Sequence, residues 1–441
     1  MRLLYLTAGA ADMYCGSCLR DNALASTLLA RGHDVVLAPV YTPTFTDERN
    51  VSSGKVFFGG ISVYLEQHVP LFRHTPWMLD RLWDSGPLLR FASKRQIKVD
   101  PALLGGMTVS MLQGAEGHQA KEVGKLLHWL THEPRFDAIS LPFTLLIGLA
   151  KPLREALDVP IVCTLQGEDL FLENLHEPWK TQALDLIRRQ IGDVDLFLPV
   201  SDYYKTFMSG YLGIPMQKMR VVPLGISLGG YDAPQGGRDA GSGAKTVGFF
   251  GRIAPEKGLH VLVEAYHLLT QKISMPLRLV AGGYLGPEHN EYFQQVRARV
   301  RTLGLEGEFT YAGAVDRDHK QALLRSFDVM SMPATYDEPK GLTLLESMAS
   351  GVPVVQPSRG SFTGMIEKTG GGILVAPDDP EALAQGLLQV LTDPSLASAL
   401  SQRGALGVRA HYSVDAMADA AEAAYATLNA KWGRRDSLRR R

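Results

Sequence analysis

Short apolar runs alternate along the chain with stretches whose apolar residues recur at helical spacing. In the first half this pattern predicts strands at Leu3–Thr7, Asp34–Val40, Ala138–Leu141, Pro160–Leu165, Leu196–Val200 and Met219–Val222. Helices are predicted at Asn22–Ala30, Leu145–Ala156, Lys180–Ile191 and Asp202–Tyr211. A second series gives strands near Thr246–Phe250, Leu277–Ala281, Glu308–Tyr311, Val329–Met332, Val352–Gln356 and Gly372–Val375, with helices between them and three more from Pro380 to about Leu428. Strands that alternate with helices pair in parallel through crossover connections. The expected fold class is therefore α/β, with two doubly wound, Rossmann-like domains facing a cleft.

Two stretches interrupt the alternation. From about 41 to 133 the chain carries Trp77, Trp83 and Trp129 beside Arg81, Arg90, Lys94, Arg95 and Lys98, and reads as a largely helical insertion in the first domain. Helices that cover a core and turn a basic face to solvent account for it most simply. Contact with an acceptor or a peripheral membrane surface is the alternative. From 227 to 245 the chain is Gly-rich and aperiodic, which is linker composition. The expected domains are thus 1–226 and 246–410, followed by a helix over 411–431 packing back on the first domain and a frayed basic tail at 432–441.

Composition narrows the class. The chain has 441 residues, 45% of them hydrophobic and 21% charged, with a formal net charge of −1. That is room for two or more domains with ample cores, and no overall field attracts nucleic acid. No apolar run approaches the about 18 residues of a spanning helix, and MRLLYLTAGA reads as a first strand rather than a leader. Three cysteines make no disulfide framework, so the expected location is the cytoplasm, or peripherally its membrane surface.

The stretch that most changes this picture is EPKGLTLLE at 338–346. Seven residues separate Glu338 from Glu346, and the run follows a predicted strand and opens a helix near Gly341. Glu338 then lies in a loop at a strand's carboxyl end, where open α/β sheets bind ligands, and Glu346 lies within the helix. Glutamates are usually surface residues, but the companions of Glu346 in this helix are apolar or small, so it needs a partner or a wet face. In GRIAPEKG at 251–258, Arg252 and Lys257 stand between a strand end and the next helix, which suits an anion such as phosphate. Salt bridges to Glu256 or Glu264 are the structural alternative.

Other motifs carry less. Cys15 and Cys18 form a CxxC with only Cys163 to join them, too few ligands for zinc. Gly225, Ser227 and Gly229 fit GxSxG, but a linker follows where that motif needs a helix. His128 and His132 lack a third ligand, and Asp193 and Asp195 lead into a strand. There is no Walker A loop and no GxGxxG after the first strand.

GRIAPEKG, the Glu338–Glu346 pair, SMASGVPVV, GGGILVAPDDPEALAQ and VVPLGIS together resemble family 4 of the retaining glycosyltransferases, which have the GT-B fold. The resemblance covers roughly 215 to 410. It implies a nucleotide-diphosphate sugar, UDP- or GDP-linked, as co-substrate, with no other cofactor and no metal. By it, Arg252 and Lys257 neutralise the diphosphate, Glu346 holds the ribose, Glu338 lies near the donor sugar, and Gly251, Gly341, Leu342 and Thr343 complete the donor site. It implies retention at the anomeric carbon and a carbohydrate, lipid-linked or small-molecule acceptor. The first domain departs from the family pattern, with Gly16 alone where a glycine pair is common and Gln166 where a histidine is common. Gly16, Arg20, Asp21, Gln166, Glu168 and Asp169 are the acceptor-side candidates. A nucleotide-sugar epimerase and a non-catalytic nucleotide-sugar-binding protein are the alternative readings.

Overall fold

A computed structural model describes residues 1–9, 16–44, 46, 48–53, 56, 58, 66–67, 101–231 and 243–439. Among these, the first sheet comprises β1 (Arg2–Thr7), β2 (Asp34–Pro39), β3 (Ala138–Leu141), β4 (Ile161–Leu165) and β5 (Leu196–Pro199). Its order is β2-β1-β3-β4-β5, all parallel. Every residue of β3, β4 and β5 is buried, as continuous apolar strands must be when helices cover both faces. The helices of this half are α1 (Gly16–Ala30), α2 (Pro101–Leu112), α3 (Ala120–Thr131), α4 (Ala150–Leu157), α5 (Asp169–Glu173), α6 (Trp179–Gln190) and α7 (Asp202–Leu212).

The second sheet comprises β6 (Lys245–Phe250), β7 (Leu277–Gly282), β8 (Phe309–Gly313), β9 (Val329–Met330), β10 (Val354–Pro357) and β11 (Gly372–Val375). Its parallel order, β11-β10-β9-β6-β7-β8, is the doubly wound Rossmann arrangement, and the strand order reverses between β6 and β9. Its helices are α8 (Leu259–Thr270), α9 (Asn290–Thr302), α10 (Arg317–Arg325), α11 (Leu342–Ala349), α12 (Gly360–Thr369), α13 (Pro380–Thr392) and α14 (Pro394–His411), and α15 (Val414–Arg439) ends the described chain. Local chemistry marks the boundaries. Asp316, Asp379 and Asp393 each cap a helix by accepting from the backbone N–H three residues on, and Pro380 and Pro394 follow two of these caps.

The chain divides into two compact units, one of Met1–Pro223 with Ala418–Arg441 and one of Leu224–Met417. In the first unit α15 lies against the opening strand, where the Tyr425 hydroxyl donates to that of Tyr5 at 2.7 Å, and Arg31 pairs with Asp419 and Glu422.

Two expectations change. The tail expected to fray from 432 is helical through Arg439: Trp432 is buried with the Arg154 guanidinium over its ring, and the basic residues suit a helix C-terminus. Met219–Val222 is no full strand. Arg220 and Val222 donate to β5 carbonyls, but the pairing is a single bridge at Met219. In the insertion α2 and α3 are helical, and Gly105 lets the Trp179 ring approach where a Cβ would stand 2.3 Å from it. The expected basic cluster from Arg81 to Lys98, with Trp77, lies outside the described residues, as does Cys15. Among the described residues no helix is long and apolar enough to cross a membrane.

Candidate functional site

In the second unit, the loops after β6 and β9 meet where the strand order reverses. Gly258 caps α8 with φ +76°, and the Pro333 carbonyl passes so close that a Cβ there would lie 1.9 Å from it. Thr335 N–H donates to the Glu256 carbonyl at 3.0 Å, stitching the loops again. This contact brings Lys257, from one loop, onto Glu338, from the other. The Lys257 ammonium hydrogen-bonds Glu338 Oε2, and the Tyr336 hydroxyl donates to the same oxygen at 2.5 Å. Lys257 also donates to Tyr336 at 3.0 Å and stands 5.0 Å over its ring.

Glu338 is 3% exposed. Burial alone raises its pKa, but Lys257, Tyr336 and Lys340 outweigh burial and hold the carboxyl below its ordinary value. Its backbone is fixed as well: Ser361 N–H donates to the Glu338 carbonyl, and a Cβ on Gly360 would stand 2.6 Å from the Glu338 backbone. The cations expected to await a diphosphate are therefore paired. Lys257 is bound to Glu338, and Arg252, half exposed, to Glu256 at 2.5 Å. Glu264 pairs instead with Arg299. Gly251 hydrogen-bonds Gly282 across the sheet.

Directly after Glu338, Gly341 takes φ +100° and begins α11 with no side-chain cap. The N–H groups of Leu342 and Thr343 find no acceptor among the described residues. On the same helix, Glu346 has the partner its apolar surroundings require: its Oε1 accepts from Lys320 Nζ at 2.7 Å and from the Tyr231 hydroxyl at 3.2 Å. Each acid thus has its own lysine.

In the first unit, the acceptor-side candidates follow two different strands, β1 and β4. Arg20 and Asp21 are buried beside the end of β1, where Arg20 Nη1 donates to Asp21 Oδ1 at 3.1 Å and the Thr7 hydroxyl to Asp21 Oδ2 at 3.2 Å. Nε and Nη2 of Arg20 are buried with no hydrogen-bond partner among the described residues. Gly16 is the first residue of α1. Gln166, Glu168 and Asp169 follow β4. Glu168 accepts from Thr144 N–H and hydroxyl, Gln166 N–H and the Tyr204 hydroxyl, and Tyr204 also donates to Asp169 at 2.7 Å. Burial pushes the Glu168 carboxyl up despite these bonds. The group ties β3, β4 and α7 together. Gln166 Nε2 donates to the Pro142 carbonyl, and its Oε1 is buried with no hydrogen-bond partner among the described residues.

Sequence reasoning did not find Tyr231, Lys320 or Tyr336. Lys320 was legible in principle, because it stands one turn before Leu324 on the buried stripe of α10, where a lysine needs a counter-charge. The motifs set aside are structural. Asp195 binds Arg154 and the Ile161 N–H, the rings of His128 and His132 lie 4.5 Å apart with their planes tilted by 55°, and the Cys18 side chain is buried.

Residues 238–406 match the family model described as "Glycosyl transferases group 1", and residues 108–229 that described as "Glycosyltransferase Family 4". The chain is 30% identical over 214 residues to the lipopolysaccharide core biosynthesis mannosyltransferase LpcC of Rhizobium leguminosarum bv. viciae, covering 47% of this chain and 59% of that one. It is 28% identical over 171 residues to mannosylfructose-phosphate synthase of Agrobacterium fabrum, 38% of this chain and 37% of that one. The chain spans little more than half the length of the curated relatives it matches first. Among solved structures, that of Anabaena Alr3699/HepE in complex with UDP superposes with a TM-score of 0.67 at 19% identity, covering 97% of this chain and 100% of that one.

Proposed function

Since the chain belongs to the glycosyltransferases of the family 4 type and has their two-domain GT-B fold, we propose that it transfers a sugar from a nucleotide diphosphate to an acceptor hydroxyl, with retention at the anomeric carbon. The observation that carries this reading is the Lys257–Glu338–Tyr336 cluster beside the uncapped N-terminus of α11, at the strand-order reversal of the second sheet.

A diphosphate placed at Leu342 and Thr343 receives two N–H donors and the positive end of the helix dipole. Arg252 can turn to it at small cost, because an exposed pair such as Arg252–Glu256 contributes only about 0–1 kcal/mol. Lys257 reaches the same charge without leaving Glu338, since an ammonium has three donors. As the sugar–phosphate bond breaks, charge gathers on the leaving diphosphate, and these donors bind the transition state more tightly than the ground state. Glu338, kept ionised, faces the cationic character that develops at the anomeric carbon. The acceptor oxygen bonds to that carbon on the face the phosphate leaves, and its proton passes to the departing phosphate oxygen.

The solved neighbour holds UDP, so UDP-sugars head the panel of donors, with GDP- and ADP-sugars beside them. Thermal stabilisation by each is measured on wild type and on Arg252→Ala. A shift with one donor that is lost in the variant supports the reading, and the absence of a shift with every donor defeats it. Incubating that donor with and without candidate carbohydrate and lipid-linked acceptors then separates transfer from isomerisation.

A further inference from the structure

The connection enters the second unit as a strap bound at successive carbonyls. Arg317 donates to the Ser227 and Gly229 carbonyls, Gln321 to Gly229 at 3.0 Å, Arg325 to Gly230 at 2.8 Å and Arg409 to Tyr231 at 2.7 Å. Gly230 takes φ +81°, and a Cβ there would stand 2.2 Å from Gln321 Oε1. The strap thereby fixes Tyr231, whose ring lies under the Arg317 guanidinium and whose hydroxyl reaches Glu346 Oε1. Lys320, 7% exposed, holds that same oxygen. Oε2 of Glu346 accepts nothing among the described residues, and its side chain keeps 13% exposure.

We infer that Lys320 and Tyr231 are positioning residues for nucleotide recognition: they anchor Oε1 of Glu346 so that Oε2 is presented to the ribose hydroxyls. The inference rests on the reading of Glu346 as the ribose-holding acid. Two O–H donors match the lone pairs of one carboxylate oxygen. With Oε1 already bound by an ammonium and a phenol, the rotamer is set before the nucleotide arrives, so binding loses less side-chain freedom. The site then takes ribonucleotides in preference to their 2′-deoxy forms.

Titration calorimetry tests this. UDP, GDP and ADP are titrated into wild type, and the tightest binder is then compared with its 2′-deoxy form in wild type, Lys320→Met, Lys320→Arg and Tyr231→Phe. Wild type is expected to prefer the ribose form by about tenfold, as for one hydrogen bond to a charged group. Lys320→Met and Tyr231→Phe should reduce that ratio to about twofold, and Lys320→Arg should restore most of it. Unliganded melting curves establish that each variant is folded. An unchanged ratio in folded Lys320→Met and Tyr231→Phe overturns the inference, and so does an equal loss of affinity for both forms, the mark of a merely structural role. If no nucleoside diphosphate binds wild type, the donor-site reading fails and takes this inference with it.

Discussion

Glu338 is a buried acid whose charged form is favoured by Lys257, Tyr336 and Lys340 against the cost of burial. Removing one partner of such a pair leaves the other charge stranded, so Lys257→Met should destabilise by about 3–5 kcal/mol in urea unfolding. The pH dependence has a definite sign. The folded pKa of Glu338 lies below 4.5, so its stabilising contribution is complete above that value and is lost as pH falls through the folded pKa. The difference in unfolding free energy between wild type and Glu338→Gln should therefore be constant from pH 7 to about 5 and shrink below 4.5. On the proposed mechanism, Glu338→Gln should lower turnover more than donor affinity, whereas Arg252→Ala should lower both, since Arg252 would meet phosphate charge before and during reaction. Steady-state kinetics beside direct donor binding reads the split, and wild-type turnover removes either residue from the mechanism. Glu338 and Lys257 were legible from type and place, as was Arg252 with Glu256 as its alternative partner, but Tyr336 and the pairing of Lys257 with Glu338 were not. Lys257 and Glu338 are far apart in sequence, and only the packing of one loop on the other joins them. Tyr231 was less legible still, hidden in a Gly-rich run whose order comes from arginines on other elements.

The elements were the most legible scale, because a buried parallel strand is a short apolar run with little room for ambiguity. β3 and β11 stand as the pattern predicts them, and the remaining strands differ by one or two residues at one or both ends. What pattern misses is the close approach. Gly258 reads as a helix start, but it is also the place where two loops touch, and only a residue without a Cβ fits there. Gly258→Ala should lower both stability and donor affinity. Gly32→Ala provides the control: Gly32 has a similar φ of +85° but nothing within 4 Å of the added Cβ, so it should cost only the left-handed penalty of about 1–2 kcal/mol, with donor binding unchanged. Equal effects of the two changes on donor affinity would show that the loop contact does not shape the site. Basic residues after Trp432 looked like a frayed end by composition, whereas a buried ring and a favourable helix C-terminus keep them helical.

At the scale of the whole chain, the first unit is assembled from two distant segments, and its closing helix returns after the entire second unit. Within that helix Ala418, Ala421, Tyr425, Leu428 and Trp432 are buried at alternating spacings of three and four, a continuous apolar stripe. Tyr425 is its largest fully buried member, and its hydroxyl satisfies that of Tyr5. Tyr425→Ala removes a ring and strands a buried phenol, so it should cost about 3–5 kcal/mol. The proposed donor-binding residues all belong to the other unit. Nucleotide at about 100 times its dissociation constant adds roughly 2.7 kcal/mol to whatever unfolds with the site. Calorimetric melting of Tyr425→Ala with and without the bound nucleotide should then show an earlier first-unit transition, while the nucleotide-dependent increment stays at its wild-type size. Loss of that increment together with the first-unit stability would mean that the donor site depends on the closing helix, and the assignment of donor binding to the second unit alone would have to be abandoned.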